Sequence, residues 1–300
     1  MTRKVFYLIA VAVGIVSLSV IPHSFAQAQT PSQSITLSPA STRISVDAGS
    51  SINKSFEVIN GGENDYKVKL SVSPYHVSGE NYNPEFTQLP GTVDASEWVT
   101  LSTEESSVQG QKLISVDYSV SVPAGTPAGG YYAVIFAQTA QEDPSEGGVV
   151  PHNRVGNILY ITVNGDVKTS GSATGGSIPG FTFASSLPLN IKVANDGGVH
   201  FETKATFLVK DFSGKEIYTY EADRVILPST VREISDTWNI ALPAGIYTVE
   251  RQATVGNETV VLDTQRVIAL SPWFTICVII FIGSLIALLV LRARQRKKDK

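Results

Sequence analysis

The stretch Ile114-Ser115-Val116-Asp117-Tyr118-Ser119-Val120-Ser121-Val122 alternates apolar and polar side chains without a break. Successive side chains of a strand point to opposite faces, so a period of two predicts a strand with one dry face and one wet face. Pro123 and Gly125 then supply the corner that ends it. The same alternation recurs on both sides: Ile35/Leu37, Phe56/Val58, Tyr66/Val68/Leu70/Val72, Val134/Phe136 and Leu159/Ile161/Val163. It continues in Leu189/Ile191/Val193, Phe201 to Val209, Tyr218/Tyr220, Trp238/Ile240, Tyr247/Val249, Val260/Leu262 and Val267/Ala269. Clusters of Gly, Pro, Asn and Asp separate these runs, and no amphipathic helical pattern lies between Pro31 and Leu270. Strands spaced by turns without intervening helices predict an all-β fold of sandwich type.

Two halves are visible. Residues 169–180 are small, polar and rich in glycine, which reads as a linker between a sandwich over 31–168 and a second over 181–270. The halves echo each other. Phe56-Glu57-Val58-Ile59-Asn60-Gly61-Gly62 resembles Ile191-Lys192-Val193-Ala194-Asn195-Asp196-Gly197-Gly198, and Val122-Pro123-Ala124-Gly125 leading to Gly130-Tyr131-Tyr132 resembles Leu242-Pro243-Ala244-Gly245-Ile246-Tyr247.

The ends are different in kind. Arg3-Lys4, an apolar run over 5–21 and Ala26-Gln27-Ala28 have the three parts of a secretory signal peptide, assigned to 1–28. An uncleaved anchor also fits the length of the apolar run, and the small-x-small end favours cleavage. Near the other end, residues 273–291 contain only Thr275, Gly283 and Ser284 as non-apolar positions. At 1.5 Å per residue a helix there spans ~28 Å, the thickness of a bilayer core. Trp273 suits the outer interface, and the basic tail over 292–300 predicts a cytoplasmic C-terminus. The expected topology is a single-pass membrane protein with its N-terminal part outside the cell. The whole chain carries 23 Lys+Arg against 27 Asp+Glu, a net charge of −4. Eight of the basic residues lie in the signal and the tail, so the part between is more acidic still, which argues against a nucleic-acid partner.

Catalytic and metal motifs are missing. Cys277 is the only cysteine, and it falls in the apolar run. His76, His152 and His200 have no spacing that suits a metal or a triad, and no G-x-S-x-G or P-loop occurs. The carboxylates at Glu104-Glu105 and at Glu142, Asp143 and Glu146 sit in turn-like segments. Asn53-Lys54-Ser55 and Asn257-Glu258-Thr259 match the glycosylation sequon. The expectation is a protein that is not an enzyme and has no cofactor or metal. One segment stands out. Between Ser73 and Trp98 an aromatic-rich insertion carries Tyr75, His76, Tyr82 and Phe86 among amides, prolines and glycines. Flat rings with hydrogen-bonding neighbours suit sugar binding, which makes these four the candidate ligand-binding residues. Capping of the core is the competing role, and Trp98 fits it.

Phe56-Glu57-Val58-Ile59-Asn60, Ser96-Glu97-Trp98-Val99-Thr100-Leu101 and Val122-Pro123-Ala124-Gly125 through Gly129-Gly130-Tyr131-Tyr132 resemble the WxL-interacting proteins of bacterial cell surfaces. The motifs fall within residues 35–165, and beyond them only the architecture matches. The resemblance implies two tandem immunoglobulin-like β-sandwiches followed by one C-terminal transmembrane helix. It also implies a first domain that binds peptidoglycan or another wall polymer and a second that binds a surface protein partner. An envelope assembly factor that accepts a partner strand at a sheet edge is the alternative.

Overall fold

The computed structural model describes residues 34–139, 153–240, 244–256, 258–262 and 264–298. The signal-peptide assignment, the acidic cluster at 142–146, Asn257 and the Leu242-Pro243 half of the second echo lie outside the described residues. The described chain is mostly strand, with one long helix at its end.

The first sandwich packs a sheet of β1 (Ile35–Ser38), β3 (Ser51–Asn60), β9 (Leu113–Ser121) and β7 (Val99–Leu101), in the order β1-β3-β9-β7, on a second sheet. That second sheet has the order β2-β11-β10-β4-β8, from β2 (Ser41–Val46), β11 (Arg154–Val163), β10 (Gly129–Thr139), β4 (Tyr66–Pro74) and β8 (Glu105–Val108). The alternation in β9 has the predicted consequence: Val116, Tyr118 and Val120 are buried between the sheets, while Ser115 and Asp117 face out. Trp98, in a 3-10 turn Ala95–Trp98, does cap the core, with its ring 4.7 Å from that of Tyr131.

The second sandwich repeats the plan. One sheet is β12 (Gly171–Gly175), β14 (Ser186–Asn195) and β17 (Thr230–Asn239). The other has the order β13-β20-β18-β15-β16, from β13 (Phe181–Thr182), β20 (Gln265–Leu270), β18 (Ala244–Val255), β15 (Phe201–Lys210) and β16 (Glu216–Ile226); β19 (Glu258–Val261) pairs with the far half of β18. In both sandwiches the opening strand runs antiparallel to the next long strand, then crosses to the opposite sheet and pairs in parallel with the last one. The pairs are β1–β3 and β2–β11 in the first, β12–β14 and β13–β20 in the second.

The first echo has a shared cause. Asn60 and Asn195 end equivalent strands and are both 1% exposed. Asn60 donates from Nδ2 to the carbonyls of Asn64 and Val108 and accepts from the Gly62 amide. Asn195 donates to the carbonyls of Val199 and Ile226 and accepts from the Gly197 amide. Each amide side chain thus satisfies three backbone groups of the turn and its neighbours, of which the carbonyl of Val108 or Ile226 is buried.

The linker expected over 169–180 is corrected by β12, which pairs residue by residue with β14. Its small residues reflect crowding rather than flexibility. A Cβ on Gly171 would stand 2.4 Å from the Ala194 carbonyl oxygen, and one on Gly175 would meet the buried Arg251 guanidinium at 2.4 Å. That guanidinium is fixed by Nη1 donating to the carbonyls of Gly176 and Asn190. The second sandwich therefore begins at Gly171, ten residues before the expected Phe181.

After β20 a single residue, Ser271, leads into α1 (Pro272–Lys298). Among the described residues no helix is long and apolar enough to cross a membrane. The apolar run of 273–291 includes Leu288 and Leu291, whose side chains lie outside the described set.

Candidate functional site

The insertion after β4 folds back as a short hairpin, β5 (His76–Ser78) and β6 (Asn83–Glu85), over the outer face of the first sandwich. This explains an irregularity in β10. Tyr131, Ala133, Ile135 and Ala137 face the core, yet Val134 and Phe136 on the opposite face are also buried. Phe86 meets Phe136 edge to face with ring centroids 4.9 Å apart, and the Arg154 guanidinium lies 3.4 Å from the Phe136 centroid. An edge-to-face pair adds about 1 kcal/mol to the area it buries.

The hairpin tip reaches the second sandwich. Gly79 has φ +65° and Tyr82 φ +58°, both left-handed, which turns the chain sharply and places the Tyr82 side chain between the two sandwiches. The Tyr82 hydroxyl accepts from the Leu227 amide at 2.9 Å and donates to Thr230 Oγ1, whose own hydrogen goes to the Leu227 carbonyl. Arg232 lies 4.4 Å from the Tyr82 ring centroid. Glu80 holds Lys192 by its carboxylate at 2.5 Å, and its carbonyl accepts from the Glu233 amide at 2.8 Å. A third apolar cluster, separate from the two sandwich cores, forms around Tyr82, Tyr160 and Leu227.

Beside this contact the Gly130 amide donates to the Gly198 carbonyl at 2.9 Å, and Arg43 pairs with Glu202. His200 packs against Tyr132 and Tyr160, with ring centroids 5.6 and 5.1 Å away. Burial, and then the charge of Arg43, hold His200 well below its ordinary value, at about 4, so the ring is neutral near pH 7. Burial also drives the Tyr75 and Tyr132 hydroxyls upward, Tyr75 to about 12.

A cleft of about 300 Å³ opens between the insertion, the start of β10 and the second sandwich. Tyr75, His76, Gln88, Leu89 and Tyr132 line it from the first domain, Gly198 and Pro228 from the second. The four sequence candidates thus divide. Tyr75 and His76 face the cleft; Tyr82 is 9% exposed in the domain contact, and Phe86 packs on Phe136. His76 Nε2 is 2.8 Å from Glu85, whose carboxyl lies below its ordinary range because Ser78 and then His76 bond to it. The partners that the second domain supplies to Glu80 and Tyr82, Lys192, Leu227, Thr230 and Arg232, lie more than a hundred residues away in sequence, where no local motif marks them.

A larger, more open depression of about 680 Å³ lies at β3, β9 and β7, lined by Asn53, Ser55, Thr100, Ser102, Asp117 and Ser119 among others. It shares no lining residue with the cleft. Among the described residues no group of three His, Cys, Asp or Glu is placed to hold a metal ion.

No protein-family model matches the chain, and no curated protein does either. Solved structures with a similar arrangement include fimbrial chaperones. The class 5 fimbriae chaperone CfaA is 9% identical over 77% of this chain and 99% of its own, with a TM-score of 0.39. The E. coli chaperone DraB is 15% identical over 79% and 98%, with a TM-score of 0.36. A chain of the Salmonella enterica SafA pilin–SafB chaperone complex is 12% identical over 80% and 98%, with a TM-score of 0.37. At these values the likeness assigns no activity to this chain.

Proposed function

We propose that this chain is a non-catalytic binding protein of a bacterial cell surface, anchored by α1 and presenting the inter-domain cleft to cell-wall polymer. The observation that carries the reading is the cleft itself. Two sandwiches held by Tyr82, Glu80 and Gly130 enclose it, and its wall combines tyrosine rings, an imidazole, an amide and exposed backbone, a lining suited to sugar rings. Among the described residues both histidines have partners, His76 in Glu85 and His200 in Tyr132. The anchor is supported by the apolar run of 273–291, by the basic tail and by the exposure of the successive residues Ile279, Ile280, Phe281 and Ile282, which go once round the helix.

The test is sedimentation of the detergent-solubilised chain with washed bacterial cell walls. Saturable binding, competed by soluble wall fragments and lost in Leu89→Glu/Val93→Glu at the exposed cleft rim, is the expected result. A chain that stays in the supernatant, or a double variant that binds as well as the parent, overturns the wall-binding reading.

A second reading, strand acceptance during envelope assembly, has one observation of its own. β7 covers only Tyr118, Ser119 and Val120 of β9 and leaves 113–116 with no partner strand on that side among the described residues. An unpaired stretch of this kind can accept a segment from another chain.

A further inference from the structure

Most of the large exposed apolar side chains of the second sandwich gather at the end from which α1 leaves; Val231 and Val261 lie elsewhere. Phe181, Ile268 and Ile246 are register partners across β13, β20 and β18, and all three point outward, 45–50% exposed. Phe183 follows β13 in the direction of the helix and meets Phe181 edge to face, with ring centroids 4.6 Å apart. The next row away from the helix is polar, Arg266 opposite Thr248. Phe212 lies in the turn between β15 and β16, beyond the Lys210–Thr248 pair and so at the same end, and is 85% exposed.

Such a patch is costly in water. Its position identifies what covers it. One residue separates β20 from α1, and the Thr275 amide and hydroxyl both donate to the Ser271 carbonyl, which fixes the first turn of the helix directly onto the end of the strand. Trp273, 78% exposed, opens that helix. Two residues of strand span about 7 Å, so the apolar rows lie within the depth of a headgroup layer from the start of α1.

We propose that this end of the second sandwich rests on the lipid surface, with Phe181, Phe183 and Phe212 seated at headgroup level beside Trp273. The inference rests on the reading of α1 as a membrane span. Aromatic side chains are favoured at that depth, and a domain so seated cannot pivot freely about Ser271. The inter-domain cleft adjoins Pro228, at the other end of β16; eleven strand residues set it roughly 35 Å above the bilayer.

The experiment uses the full chain in phosphatidylcholine–phosphatidylglycerol vesicles, with Cys277→Ser removing the native thiol. A fluorescent label is attached at one of four positions, Phe183→Cys, Phe212→Cys, Trp273→Cys or Val93→Cys, and quenching by headgroup-depth nitroxide lipid is measured. The expected result is loss of fluorescence at 183 and 212 comparable to that at 273, with none at 93. Quenching at 273 but not at 183 or 212 overturns this proposal and leaves the anchor intact. No quenching at 273, with release of the chain by alkaline carbonate, overturns the anchor and the proposal with it. Self-quenching between labelled copies at 183 and 212, without quenching by lipid, assigns the patch to a second copy and also overturns the proposal.

Discussion

The guanidinium of Arg232, in the second sandwich, lies 4.4 Å from the ring centroid of Tyr82, in the insertion of the first. One aromatic side chain thereby joins two folding units in three ways: by its face to Arg232, by its hydroxyl to the Leu227 amide and by the same hydroxyl to Thr230. A cation over a ring contributes about 1 kcal/mol at such a half-buried site. The hydrogen bond matters in a different way, because the Leu227 amide is buried and has no water to turn to.

Tyr82→Phe separates these contributions. The ring and its contact with Arg232 remain, but the Leu227 amide is left without its acceptor, at a cost of about 1–3 kcal/mol. The expected outcome is faster hydrogen exchange at Leu227 and Thr230 with unchanged protection in both sandwich cores. Unchanged exchange at Leu227 contradicts the role assigned to the hydroxyl.

His200 makes the same contact sensitive to acid. In the unfolded chain its ordinary value is 6.5, and in the folded chain it is held down to about 4 by burial and then by Arg43. Between those values the unfolded chain binds the extra proton, so the contribution of His200 to stability is complete above pH ~6.5 and is lost as pH falls toward ~4. Thermal unfolding of the parent and of His200→Gln, compared at pH 7 and pH 4.5, is expected to show the smaller acid shift in the variant. Equal shifts assign the acid response to other groups.

Gly171→Ala tests the corrected domain boundary. A methyl group there stands 2.4 Å from the Ala194 carbonyl, which belongs to the backbone of β14 and has little room to yield. A flexible linker tolerates the change, whereas a paired strand loses about 1–3 kcal/mol to overpacking. Gly180→Ala is the control, since its nearest neighbour is 3.9 Å away. Calorimetry of the two variants is expected to lower the melting temperature of the second sandwich only in Gly171→Ala.

What the sequence made legible follows from the range of the interactions. A strand's alternation is written in adjacent residues, and so β9, β14 and β15 could be read directly, as could the glycine-containing turns that follow Asn60 and Asn195. The composition of 169–180 misled because glycine serves a flexible chain and a crowded one equally, and only the position of the Arg251 and Ala194 atoms separates the two. Among the aromatic candidates, the sequence located the insertion but not the role of each ring. Tyr82 is assigned by Leu227 and Thr230, 145 and 148 residues away, and that pairing leaves no local trace.

The open half of β9 yields a prediction that separates the two functional readings. The Lys112 carbonyl points to β3 and the Asp117 carbonyl to the β7 side, since they accept from Asn60 and Ser102 respectively. Backbone groups alternate sides along a strand, so the amide of Ser115 points to the side that β7 leaves uncovered. Ser115→Pro removes that donor without breaking a hydrogen bond to β3, and proline is tolerated at such an edge. If the chain holds its partner in the inter-domain cleft, wall binding by Ser115→Pro equals that of the parent, while the Leu89→Glu/Val93→Glu rim variant loses it. If the chain accepts a strand at β9, the proline variant loses its protein partner in a pull-down from surface extracts and the rim variant keeps it. Unchanged melting temperatures in both variants exclude unfolding as the cause of either loss.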